Sequence, residues 1–324
     1  MRSRRIGPAA GLPNLSFKLE SANPTGSYKD RFAVAAVSHL LAKGNTHCLA
    51  TSSGNTGSAL AAACAAAGIP CRLAIVEPAP TGKLKQMLAY GAELFRIRGF
   101  GIDPDVTTRT FSRLRELGDQ PGWTLEVSAF AVSPDGMSGV ETIAFELEES
   151  LGSELDHVFA PAGGGGLCLA TARGFEQCEL ASPAIECVQP NGNDTMAGPL
   201  REGRDHGRKA DPCTTDISGL QVPNLLDANE VIAACRRSVG TGHLVADEFI
   251  FECQRRLARE EGIFAEPAGA VALAGALQAA ERGEIDRDST IVCLVTGTGF
   301  KDDASVDRMT ADVAAPLIEL DEFR

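Results

Sequence analysis

Aromatic residues are scarce in this chain, at 5% of 324 residues, with one tryptophan and two tyrosines. Positive charge is also in deficit: 30 Lys and Arg stand against 43 Asp and Glu, a formal net charge of −13. That balance argues against nucleic acid and anionic membranes as partners. An anionic ligand must then be held by local amides rather than by a global field. No apolar run is long enough to span a bilayer. Met1-Arg2-Ser3-Arg4-Arg5 is briefly basic, but no apolar stretch of the signal-peptide kind follows it. The ten cysteines include no C-x-x-C or other ligand spacing, which points to reduced thiols of a cytoplasmic protein and to no metal centre. Internal repeats and low-complexity tracts are missing as well.

What the chain does have is alanine, glycine and a strand–helix rhythm. Its length and 44% hydrophobic content allow a large core in one large or two medium domains. Residues 1–14 read as a loose leader, 17–20 as a short strand and 32–42 as a helix. Strands are expected at 48–51, 71–76 and 93–97, with helices at 58–67, 83–90 and 105–117 between and after them. Residues 118–135 read as a connection around Trp123, and 139–151 as a long helix. Further strands are expected at 156–160, 185–189 and 290–295, with helices at 167–177, 228–239, 246–261 and 269–282. Residues 191–224, polar and rich in Gly and Pro, read as a long surface loop. Alternation with short loops predicts α/β architecture with mostly parallel sheets covered on both faces.

The stretch Asn23-Pro24-Thr25-Gly26-Ser27-Tyr28-Lys29-Asp30-Arg31 sets one lysine in a tight polar turn. Lys29 stands at the mouth of a helix, where the dipole disfavours a positive charge. A neutral amine is what Schiff-base chemistry needs. Three loops then follow strands, where open α/β sheets bind ligands. Ser52-Ser53-Gly54-Asn55-Thr56-Gly57 offers hydroxyls, a carboxamide and amides at a helix N-terminus, suited either to capping or to an anion. Gly163-Gly164-Gly165-Gly166 lets amides approach a phosphate closely. No Lys-Ser/Thr follows it, and no acidic residue stands at the dinucleotide distance, so it is neither kind of nucleotide loop. Thr296-Gly297-Thr298-Gly299-Phe300-Lys301-Asp302 ends an apolar strand on a neutral hydroxyl.

Taken together, K-L-E-S-A-N-P-T-G-S-Y-K-D-R, T-S-S-G-N-T-G, the glycine run, E-P-A-G-A and T-G-T-G-F-K-D resemble the fold-type II pyridoxal-phosphate enzymes. Within them the pattern is most similar to the threonine-synthase group, in the family's order from about residue 17 to 302. The resemblance implies pyridoxal 5′-phosphate as cofactor and two three-layer α/β/α domains, the smaller (44–138) inserted into the larger (1–43 and 139–324). It implies that Lys29 carries the cofactor as a Schiff base and later takes the substrate's α-proton. Asn55 would hydrogen-bond the phenolic oxygen, Gly163, Gly164, Gly165 and Gly166 would hold the phosphate, and Thr296 would face the pyridine nitrogen. Ser53, Gly54 and Thr56 would take the α-carboxylate of a small amino acid. Glu266 and Pro267 read as wall residues. A neutral partner at the pyridine nitrogen suits elimination or replacement at the β or γ carbon. Such enzymes are often homodimers.

The resemblance breaks in one place. The group's N-P-x-R-[IL]-E-G-x-K-T reads here Ser133-Pro134-Asp135-Gly136-Met137-Ser138-Gly139-Val140-Glu141-Thr142. Gly136 replaces an arginine that would grip a substrate phosphate, and Glu141 replaces a lysine. The leading T-P-L segment is missing too. A threonine or serine dehydratase is therefore the competing expectation, and a non-catalytic binding protein of the same fold a third.

Overall fold

The computed structural model describes residues 1–79 and 81–323. Among the described residues, nine strands form two sheets in which all neighbours run parallel. They are β1 (Leu15–Leu19), β2 (His47–Thr51), β3 (Cys71–Val76), β4 (Glu93–Ile97), β5 (Trp123–Glu126), β6 (His157–Pro161), β7 (Ala184–Pro190), β8 (Gly242–Val245) and β9 (Ile291–Val295). The five-stranded sheet has the order β1-β9-β6-β7-β8, and the four-stranded sheet the order β4-β3-β2-β5. Strands β6, β7 and β9 are buried along most of their length, as parallel strands covered by helices must be. β4 forms an edge and shows only partial burial, with Arg72 of its neighbour paired to Glu93.

The helix Lys29–Ala42 packs between Pro134–Leu151 and Asn55–Ala67. One apolar cluster runs from Phe32 and Leu40 through Leu60 and Leu73 to Val140, Val158 and Leu294. It therefore joins side chains of both sheets. Close approach here relies on small residues. A Cβ built on Gly139 would fall 2.3 Å from the Arg31 carbonyl, and one on Gly136 2.7 Å from the Phe32 ring. A second cluster buries the helix Pro267–Glu281 against β6, β9, β8 and β7.

Several expectations need correction. Residues 1–14 are not loose: Arg2 bridges Ser16, Ser3 and the amides of 4–6 bind the Glu261 carboxylate, and Ile6 and Leu12 are fully buried. The connection 118–135 contains β5, and the helix expected from 139 already starts at Pro134, proline being favoured in the first helical turn. Residues 191–224 are not simply a surface loop. Met196, Ala197 and Ile217 are buried, and the amides of 195–197 converge on the Gln189 side-chain carbonyl.

Candidate active site

The strand order brings the expected site segments together. β1, β9 and β6 are neighbours, so their carboxyl ends place the lysine turn, Thr296 and the glycine run side by side. In the other sheet β2 pairs with β5. Its loop with Ser53, Gly54, Asn55 and Thr56 therefore lies beside the segment that begins at Val127.

The lysine turn is built from its own polar groups. Asp30 accepts from the amide and the hydroxyl of Thr25, at 2.8 and 2.7 Å. Arg31 forks between Glu20 and Glu146, with contacts of 2.6–2.9 Å, and reaches the Thr142 hydroxyl at 2.8 Å. Its guanidinium holds the Glu146 carboxyl down to about 2. The turn is stitched to the end of β9 by the Tyr28 amide donating to the Thr296 carbonyl (3.0 Å) and the Thr298 amide donating to Gly26 (2.9 Å). The backbone thus fixes Lys29 from both sides.

The Lys29 ammonium donates to Ser128 Oγ at 2.8 Å, and Ser128 Oγ lies 3.0 Å from Thr56 Oγ1. Its Nζ also stands 4.4 Å from the Tyr28 ring centroid. A Cβ built on Gly166 would lie 3.1 Å from the Ser128 carbonyl, so the amine and the glycine run are separated by one residue. Gly165 adopts φ of 101°, the left-handed region glycine tolerates. A side chain there would meet Val231 at 2.8 Å. Residues without side chains of their own thus lead with their backbone amides into the helix Gly166–Phe175, an arrangement suited to an anion. Gly163 and Gly164 face the segment Gly219–Leu226.

Two participants, Ser128 and Asp227, escape sequence reasoning, and a third, Glu266, is read there only as a wall residue. Ser128 joins Lys29 to Thr56. Asp227 accepts the amides of Phe130 and Ala131, both at 3.0 Å, and its own amide donates to Gly164. It clamps the 128–131 segment to the glycine run, and burial pushes its carboxyl upward. Glu266 accepts from Asn55 Nδ2 at 2.8 Å, and Gly297 leaves it room, since a Cβ there would lie 2.2 Å from Glu266 Oε1. Burial pushes Glu266 up to about 7 against the hydrogen bond from Asn55. Ser53 and Gly54 are half-buried at the mouth of the helix Asn55–Ala67, and Thr56 and Thr296 are buried.

A carboxyl whose proton is held more tightly when folded stabilises the fold below its unfolded value, and that stability is lost as pH rises toward the folded value. Glu266→Gln should therefore gain on the wild type between pH 4.5 and 7. The gain is roughly 3 kcal/mol at most. Urea unfolding at three pH values checks this; parallel curves for the two proteins would contradict it.

Gly136 offers no cation to this site, because position 136 faces Phe32. Glu141 accepts instead from Gln177 at 2.8 Å.

A family model described as pyridoxal-phosphate dependent enzyme matches residues 1–297. Threonine synthase of Methanosarcina acetivorans is 32% identical over 311 residues, 93% of this chain and 74% of that protein. Threonine synthase of Halalkalibacterium halodurans is 33% identical over 328 residues, covering 97% and 88%. Among solved structures, the processed form of threonine deaminase isoform 2 from Solanum lycopersicum shares the fold, with a TM-score of 0.78 at 23% identity, covering 97% of this chain and 83% of that one.

Proposed function

Because the chain belongs to the pyridoxal-phosphate dependent enzyme family, we propose that it is a lyase of the threonine-synthase-like group with Lys29 as its catalytic amine. The reaction is elimination or replacement at the β or γ carbon of a small L-amino acid or its O-activated derivative. The observation that carries this reading is the short path from Lys29 Nζ through Ser128 to Gly166. The cofactor, when bound, supplies the electron sink that stabilises negative charge at the substrate's α carbon.

The residues present fit that group. Gly163, Gly164, Gly165 and Gly166 would hold its phosphate, Thr296 would face its ring nitrogen and Asn55 would hydrogen-bond its phenolic oxygen. Glu266 fixes which way the Asn55 amide points. Ser53, Gly54 and Thr56 take the substrate carboxylate at the helix N-terminus. Lys29 removes the α-proton, and Ser128 Oγ then accepts a hydrogen bond from the resulting ammonium and holds it in place. The Thr56 hydroxyl keeps Ser128 oriented. Lys83 donates to Ser218 at 2.5 Å and Gln86 Nε2 to the Thr25 carbonyl at 3.2 Å, which ties the helix Thr81–Ala89 to the lysine turn. We divide the chain into a smaller unit of 44–138 and a larger one of 1–43 with 139–324, the helix Pro134–Leu151 crossing the boundary. The homodimer in this reading rests on the family resemblance alone, and the cytoplasmic location on the cysteine usage.

With glycine at 136, a phosphorylated substrate lacks its forked cation. We expect O-phosphohomoserine to release phosphate weakly or not at all. A panel of amino acids, followed by the absorbance of the bound chromophore and by 2-oxo acid formation, tests the assignment. Rapid phosphate release would reinstate the phosphorylated substrate, and 2-oxo acid from threonine or serine would favour the dehydratase.

A further inference from the structure

Three thiols that are remote in sequence meet in the four-stranded sheet. Cys48 lies near the start of β2 and Cys71 opens β3, and the two are register partners. Cys64 reaches them from the helix Asn55–Ala67. Their sulfur atoms all lie within 4.8 Å of one another, and all three residues are buried. The cluster sits toward the amino ends of these strands, whereas the loop Ser52–Gly54 leaves the carboxyl end of β2. It is therefore separate from the lysine site. Its cover is thin: Ala65, Ala66, Gly68 and Pro70, in the turn between Cys64 and Cys71, are exposed.

We propose that Cys48, Cys64 and Cys71 form a three-coordinate thiolate site for a soft monovalent cation of the copper(I) class. Sulfur-only ligands select soft metals. Zinc demands a fourth ligand, and among the described residues no His, Asp, Glu or further Cys joins this set. Metal–sulfur bonds of about 2.3 Å in a trigonal plane put the sulfurs about 4 Å apart, inside the observed 4.8 Å limit. Each thiol proton displaced on coordination passes to solvent.

The test is an anaerobic titration of the cofactor-loaded protein with copper(I) against a chromophoric copper(I) chelator. We expect one equivalent to be retained per chain, with a thiolate-to-metal ultraviolet band. A Cys178→Ser/Cys213→Ser variant, which lacks the two partly exposed thiols, should behave like the wild type. So should Cys253→Ala, which removes a buried thiol elsewhere. Changing outer-sphere partners already weakens metal sites by 10–100-fold, so Cys64→Ala should weaken retention by more than about 100-fold. No retained copper in the wild type, equal retention in Cys64→Ala, or tighter retention of zinc would each overturn the proposal. The wild-type titration decides on its own if the Cys64 variant fails to fold.

Discussion

Lys29→Ala is expected to yield a colourless protein after desalting in the presence of added pyridoxal phosphate, where the wild type stays yellow. Removing a general base slows proton transfer by about 10²–10⁴-fold, and losing the covalent anchor adds to that. Turnover with whichever amino acid the panel selects should therefore fall by at least about 10³-fold. Borohydride reduction followed by peptide mapping gives a second reading, placing the cofactor adduct on the peptide that contains Lys29 in the wild type and nowhere in the variant. An adduct on another lysine, with activity preserved, would end the assignment of Lys29. The expectation is sharp because the amine has few alternatives. Its turn is fixed by Asp30, by the Thr296 carbonyl and by the fork of Arg31.

The second large effect is on stability. Arg31→Ala leaves the Glu20 carboxylate, only 1% exposed, without its forked partner. Breaking a buried ion pair from one side costs about 3–5 kcal/mol. Lys18 remains 3.3 Å from Glu20, so we expect a loss of about 3 kcal/mol, read as a lower urea midpoint. The pH dependence has a definite sign. Glu146 is held down to about 2 by Arg31, so its contribution is present above the ordinary carboxylate value and disappears as pH falls toward 2. The gap between wild type and variant should narrow over that window. Arg31→Lys keeps the charge but not the planar fork, and should fall between the two. An unchanged midpoint in Arg31→Ala would show that Glu20 and Glu146 are satisfied without it.

Much of this fold is legible in the residues, and the misses have physical causes. The expected bounds of β3 and β4 match the observed ones, since each is a compact run between turn residues. The expected start of β9 differs by one residue. β5 and β8 escape a reading of the sequence. Each is four residues long, and its strand character comes from pairing with β2 or β7 rather than from its own composition. The first fourteen residues look loose because their anchor is Glu261, most of the chain away. The same division holds at the site. Lys29 and the glycines stand in runs whose backbone demands are visible locally. Ser128, Asp227 and Glu266 are single polar residues whose importance arises only when β5 lies beside β2 and when Gly297 opens space for a carboxyl. The three thiols of the four-stranded sheet are hidden for the same reason: their spacing of 16 and 7 follows from one strand–helix–strand unit, not from a metal-binding motif.

The segment after β9 serves two masters through its main chain. Thr296 and Thr298 bind the lysine turn on one side, while Ala265 bridges Thr298 and the Glu266 amide donates to the Gly297 carbonyl on the other. Peptide groups are common to every amino acid, so this half of the cleft can keep its outline while side chains drift. The opposite wall, with Ser53, Thr56 and Ser128, presents replaceable hydroxyls. New substrate preferences in relatives of this enzyme should accumulate along that wall and leave the other as an inherited mould.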